Sequence, residues 1–208
     1  MLAKVLSVAA FLFVSFVSGL ALAQDRMPPI PPDQYSEEQK TAAADFLAAR
    51  KVPVFGPFEV LMRSPQVMNQ ARAMGDYLRY KSAIGNTLSE LAILVAAREW
   101  SQDYEWYAHQ SIAVKAGIKP EITEAIADGR RPAGMSEDEE TVYDFSIELH
   151  RNKRVSDRTY ERALKRFSDR GVIDLVGING YYTFLSMVMN TSRMPVPKGG
   201  AALKRFPD

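Results

Sequence analysis

From Ser36 to Asn190 the chain carries helix starts and stops and no other regular signal. Ser36 with Gln39 forms a capping box that predicts a helix to about Arg50. Ser64-Pro65 places a cap before a first-turn proline, opening a helix to about Lys81. Thr87 with Glu90 reads as a second capping box ahead of the apolar run Leu91 to Ala97. Ser101 is the expected cap of a helix ending at Gly117, and Pro120 opens a short one closed by Gly129. Ser136 with Glu139 caps a helix to about Asn152, and Ser156 caps one that closes near Gly171. Val172 to Asn190 is a long apolar helix. No stretch alternates with period two between strand-type boundaries, so the expected fold is all-α: one domain of about eight helices.

The domain is expected over 36–194. Ahead of it, Lys4, the apolar run Leu6 to Val17 and the small-x-small site Ala21-Leu22-Ala23 read as a secretory signal peptide over 1–23. The run is shorter than the ~20 apolar residues that span a bilayer. No later segment is expected to span, which places the mature protein in the periplasm or outside the cell, with no membrane association after cleavage. Residues 24–35 hold four prolines between Pro28 and Pro32 and read as an extended arm. Residues 195–208 are expected to be a loose tail.

Cleavage after Ala23 would remove Lys4 and leave 25 basic and 25 acidic side chains. A balance of zero gives no electrostatic reason for a nucleic-acid partner. The chain has no Cys, which excludes disulfides, thiolate metal sites and thiol nucleophiles. Without disulfides, an exported chain depends on core packing or on assembly into oligomers.

Chemistry concentrates between Gln102 and Ala116. At about 100° per residue, Asp103, Tyr104, Tyr107, Ser111 and Lys115 share one side of this helix. Gln102, Glu105 and His109 fall in the middle of the apolar side. Glu105 and His109 stand at i and i+4, so their side chains meet. A carboxylate on a buried face must be paired or used, because burying it alone costs several kcal/mol or more. Beside a carboxylate, His109 has its tautomer fixed and becomes a candidate general acid or base. The same pair also fits a structural link between helices or a subunit contact. Capping with Thr87 is the stronger account of Glu90, and a helix-dipole contact the simplest one of His150. Tyr181 and Tyr182 fit a core as well as a site. Arg98 and Arg72 are candidate partners for a substrate carboxylate. With two His and no Cys, no metal site is expected.

One internal echo stands out: Leu88-Ser89-Glu90-Leu91 and Val172-Ile173-Asp174-Leu175 each place a carboxylate near the start of an apolar helix.

The run from Leu88 to Gly117, with Tyr104-Glu105-Trp106 and His109 inside it, resembles the carboxymuconolactone decarboxylase-like superfamily, which includes the alkylhydroperoxidase D-type enzymes. The peroxidase branch carries Glu, then twelve residues on Cys-x-x-Cys-x-x-x-His. Glu90 and His109 match the ends of that motif, and Gln102 and Glu105 occupy its cysteine positions. The likeness continues through Ile118 to Ile122 and Asp174 to Tyr182, covering about residues 55–192. It implies an all-helical fold assembled as trimers or hexamers, with the active site between packed helices. It also implies that the thiol peroxidase cycle is absent here. The decarboxylase branch uses no cofactor and acts on a carboxylated lactone. By that resemblance His109 is the expected acid, Glu105 its orienter and Glu90 a second proton carrier. Arg98, Gln102, Trp106 and Tyr181 are the expected substrate contacts. The expected function is a cofactor-free acid–base lyase or isomerase of a small lactone or enol. The alternative is a non-catalytic oligomer that binds a small aromatic ligand among Trp106, Tyr107, Tyr181 and Tyr182.

Overall fold

A computed structural model describes residues 25–205, so the leader expected over 1–23 lies outside the described residues. Eight α-helices and no strand are present among them: α1 (Glu37–Arg50), α2 (Pro57–Leu61), α3 (Pro65–Tyr80), α4 (Asn86–Glu99), α5 (Asp103–Lys115), α6 (Pro120–Ala127), α7 (Glu137–Asn152) and α8 (Asp157–Ser192).

The architecture follows from α4. Every residue from Ser89 to Arg98 is buried. A helix without a polar face has to be surrounded, and α4 packs on α5, α7 and α8. Leu91, Ile93, Leu94 and Val95 lose all solvent contact. Each is worth about 1.5–3 kcal/mol as an upper estimate of apolar burial. The start of α4 corrects the expected capping box. Gly85 at φ 81° is the N-cap and no side chain caps the helix. The Thr87 hydroxyl instead donates to the Ala116 carbonyl at 2.7 Å, tying the start of α4 to the end of α5. Glu90 is thereby released from capping and sits fully buried. The Ser36–Gln39 and Ser136–Glu139 boxes form as expected.

Two further boundaries differ. The connection after α1 contains the short helix α2, because Phe58, Val60 and Leu61 bury an apolar face too brief to show periodicity. The expected break at Gly171 lies three residues earlier, at Ser168 (φ 61°, ψ 176°). Gly171 serves close packing instead: a Cβ there would lie 2.4 Å from the Phe167 Cβ and 3.4 Å from Ile84. Contrary to expectation, α8 is long and apolar enough by composition to cross a membrane. More than half of that apolar stretch is buried in the protein, as in a core helix.

Both terminal segments are docked. The Arg26 backbone N–H donates to the Ser192 carbonyl at 2.7 Å, and Arg63 donates to the Pro28 carbonyl at 2.7 Å. Only Pro32–Gln34 of the arm forms a turn of 3₁₀ helix. The tail, expected to be loose, folds back on α5. The Leu203 N–H donates to Asp103 Oδ1 at 2.8 Å, Arg205 pairs with Asp103, and the Leu203 side chain is buried.

Candidate active site

Helix α5 sets the geometry. Gln102, rather than Ser101, is its cap: the Gln102 side-chain oxygen accepts from the N–H groups of Tyr104 (2.6 Å) and Glu105 (3.2 Å). Its amide nitrogen donates to Asn190 on α8 at 3.1 Å. Ser101 takes a left-handed turn at φ 45° just before it. This anchoring fixes the rotation of α5 about its axis and turns Glu105 and His109 inward, 3% and 6% exposed.

The imidazole stands between two carboxyl groups. His109 Nδ1 lies 2.7 Å from Glu90 Oε2, and His109 Nε2 lies 3.4 Å from Glu105 Oε2. The other oxygen of Glu90 accepts from Arg79 Nε at 3.3 Å. Four side chains from three helices therefore run in sequence: Arg79 of α3, Glu90 of α4, then His109 and Glu105 of α5. Glu90 is fully buried and has the Arg79 guanidinium on one side. An acceptor-only carboxylate at Nδ1 requires the proton there, leaving the Nε2 lone pair facing Glu105 in the neutral ring. The sequence expectation had Glu105 as the orienter. In the structure Glu90 occupies the orienting position.

Glu105 has the opposite environment. Burial raises its pKa above the ordinary carboxylate value, and the nearby Glu90 charge adds to the rise; His109 and Arg79 pull the other way without cancelling it. A proton is thus held more readily on Glu105 than on a solvated carboxylate. Burial alone would lower the pKa of Arg79, but Tyr182 and Glu90 outweigh it, so the guanidinium keeps its charge. Tyr182 stands edge-on to the imidazole at 5.2 Å, and burial raises its hydroxyl well above the usual range. Its neighbour Tyr181 stands perpendicular to it at 5.2 Å.

Glu105, His109, Arg79, Tyr181 and Tyr182 line one cavity of about 250 Å³, completed by Arg50, Phe55, Phe58, Tyr104 and neighbours from α3 and α8. Gly75 makes its wall possible: a Cβ at this position would lie 2.3 Å from the Tyr181 hydroxyl oxygen. A larger groove of about 600 Å³ lies on another side of α5 under the tail. Its Asp128 and Lys204 pair with each other at 2.8 Å, and neither Glu105 nor His109 lines it. The smaller cavity therefore holds the groups capable of proton transfer.

The structure brings Glu90, Glu105 and His109 together and adds Tyr181 to their cavity. Gln102 acts as the helix cap. Trp106 lines the larger groove. Arg98 points elsewhere, donating to the carbonyls of Ala127 (3.3 Å) and Lys204 (2.9 Å) and to Ser101 Oγ (2.9 Å), and does not line the cavity. Tyr104, expected on the polar side, lines it. Arg72 pairs with Asp76. His150 bonds to Asn179 at 3.0 Å, and burial lowers its pKa. Sequence reading missed Arg79 and Arg50. A signal for Arg79 existed: Arg72, Asp76 and Arg79 recur at i, i+4 and i+7, marking a charged stripe on α3 opposite a buried acid. Among the described residues no group of three His, Cys, Asp or Glu is arranged to hold a metal ion.

No family model and no curated protein matches the chain. Solved structures do. A peroxidase-related protein from Silicibacter is 15% identical, with a TM-score of 0.67, over 89% of this chain and 100% of that one. An alkylhydroperoxidase AhpD core, a peroxidase-related protein from Ralstonia eutropha, is 15% identical with a TM-score of 0.67, over 83% and 92%. The debrominase Bmp8, in complex with 2,3,4-tribromopyrrole, is 9% identical with a TM-score of 0.66, over 85% and 94%. The fold is alkylhydroperoxidase D-like.

Proposed function

We propose that this alkylhydroperoxidase D-like chain, which has no thiol, is a cofactor-free acid–base lyase or isomerase of a small carboxylated lactone or enol. The observation that carries the reading is His109, held by Glu90 through Nδ1 and facing Glu105 through Nε2, at the wall of a 250 Å³ cavity. Glu90, itself held by Arg79, orients the ring through Nδ1. Glu105 supplies the proton and His109 Nε2 receives one, so the pair can deliver a proton to carbon on one face of a bound ring. In decarboxylation the substrate C–C bond breaks, CO₂ leaves with the bond electrons left behind as a dienolate, and the pair protonates that carbon. In isomerisation the pair takes a proton from one carbon of the enol system and returns it to another.

The peroxidase cycle needs a thiol, and the chain has no Cys. The complex of Bmp8 with a bromopyrrole supports a small planar ring as the kind of ligand this fold admits. The leader read over 1–23 supports a site of action outside the cytoplasm. Assembly as a trimer or hexamer belongs to the same proposal and is read by light scattering after size exclusion.

The test is a screen of lactone and enol acids with wild type and His109→Gln. Removal of the proton carrier is expected to lower turnover by about 10²–10⁴-fold with the fold retained. Equal turnover by both proteins would refute the proposal. The perpendicular Tyr181–Tyr182 wall also fits a non-catalytic aromatic-ligand binder. In that case the screen gives binding without turnover in either protein.

A further inference from the structure

The cavity has a second charged end. Arg50 closes α1 with its side chain 17% exposed. Its guanidinium carbon lies 4.5 Å from the Phe58 ring centre and 5.2 Å from that of Phe46. Aromatic faces stabilise a guanidinium away from water and leave its N–H groups to bond in its own plane. Two of the Arg50 nitrogens contact a single oxygen of Asp76, each at 2.9 Å. The other oxygen of Asp76 takes Arg72 at 3.2 Å. Two cations thus share one carboxylate and leave a surplus positive charge. The Arg72 Nε is buried and, among the described residues, has no hydrogen-bond partner. Arg50 is the member of this cluster that lines the cavity.

The neighbouring charges do not remove that surplus. Arg79 is matched by Glu90, and burial raises the pKa of Glu105, which contacts His109 rather than Arg50. Tyr181 connects the two ends of the cavity. The Arg50 charge acts on its hydroxyl, its ring stands against Tyr182, and Tyr182 stands against His109. The distance from Arg50 to His109 is thus bridged by two perpendicular rings. A volume of about 250 Å³ falls below the range of drug-sized pockets and suits a single substituted ring.

We infer that Arg50 is the anion-recognition residue of this cavity, receiving the carboxylate of a planar ring substrate beside Tyr181 while His109 and Glu105 act on another part of the ring. This rests on the acid–base reading above and adds the group that selects the substrate. It replaces Arg98 in that role. Arg50 also lies outside residues 55–192, over which the family resemblance runs. A guanidinium fork matches a carboxylate in two parallel N–H···O bonds, which a neutral amide cannot accept in the same way.

The experiment compares benzoate with benzamide, two probes of nearly equal shape and different charge, by titration calorimetry on the full mature chain. Wild type is expected to bind benzoate at least about tenfold more tightly than benzamide. Arg50→Gln is expected to lose that preference, and Arg50→Lys to keep only part of it, because an ammonium has the charge without the fork. Equal binding of the two probes by wild type, or no binding of either, overturns the inference. So does an Arg50→Gln protein, folded by circular dichroism, that keeps the preference. If Arg50→Gln does not fold, Arg50→Lys decides, and an unchanged preference there overturns it. The two readings fail separately. An Arg50-dependent benzoate preference without any turnover defeats the acid–base reading alone. His109-dependent turnover that accepts amides as readily as acids defeats the Arg50 assignment alone.

Discussion

Replacing Glu90 strikes the link that joins stability to chemistry. The side chain is fully buried and accepts two charge-assisted hydrogen bonds, from His109 Nδ1 at 2.7 Å and Arg79 Nε at 3.3 Å. Glu90→Ala removes both and leaves Arg79 without its counter-charge. Breaking one side of a buried pair costs about 3–5 kcal/mol. Arg79 is 23% exposed and can recover some hydration, which puts the expected loss near the lower end, about 3 kcal/mol. For a chain of this length that lowers Tm by about 6–12 °C. Glu90→Gln keeps the volume and isolates the charge. Its one acceptor oxygen cannot serve both donors, and the cation has the stronger demand. The carboxamide oxygen should turn to Arg79 and its N–H₂ to His109. The imidazole then has to accept at Nδ1 and carry its proton on Nε2, so the atom facing Glu105 changes from acceptor to donor. Urea unfolding reads the stability loss as a shift in midpoint at constant slope. Imidazole ¹⁵N shifts read the tautomer. Replacing both members, Glu90→Leu with Arg79→Met, should recover much of the stability and none of the turnover, because an apolar pair of similar size costs little. A Glu90→Gln protein with an unchanged His109 tautomer and stability within about 0.5 kcal/mol of wild type would refute this account of the site.

Two further outcomes follow from the same geometry. Burial raises the folded-state pKa of Glu105, so the stability linked to its proton is fully present below the ordinary value of 4.5 and is lost as pH rises through the raised one. Glu105→Gln, permanently neutral, should therefore gain on wild type as pH increases from about 4.5 upward, and paired urea titrations that show no such divergence would contradict the assignment. Gly75→Ala should destabilise by about 1–3 kcal/mol despite the better helix propensity of Ala, because the new methyl group meets the Tyr181 ring within 3.0 Å. Thermal unfolding measures the sign, and a more stable variant would show that the Tyr181 wall yields freely.

The helices were legible in the sequence because their caps are local. Ser36–Gln39 and Ser136–Glu139 need only residues within one turn of each other, and both boxes form. The i,i+4 meeting of Glu105 and His109 was equally local, and the apolar run Leu91 to Ala97 is buried throughout. Thr87 misled for a nonlocal reason: its hydroxyl found the Ala116 carbonyl, twenty-nine residues away, in place of the backbone beside it. Gly171 misled because close packing against Phe167 and Ile84 uses the same residue type as a helix stop. The internal echo placed two carboxylates at matching positions, and both are buried. Asp174 accepts from the Tyr77 hydroxyl and the Ala83 N–H, whereas Glu90 accepts from Arg79 and His109.

Sequence alone determined that the chain is helical, that it has no thiol chemistry, and that an acid and an imidazole share a buried helix face. Each of these depends on composition or on residues within one helical turn. Tertiary structure decided which acid orients His109, that Arg79 neutralises it, that Arg50 rather than Arg98 reaches the cavity, and that Tyr181 and Tyr182 form its wall. Those assignments depend on the packing of α1, α3, α4, α5 and α8. Helix phase and crossing bring side chains from distant segments within a few ångströms, and no spacing along one segment encodes that distance.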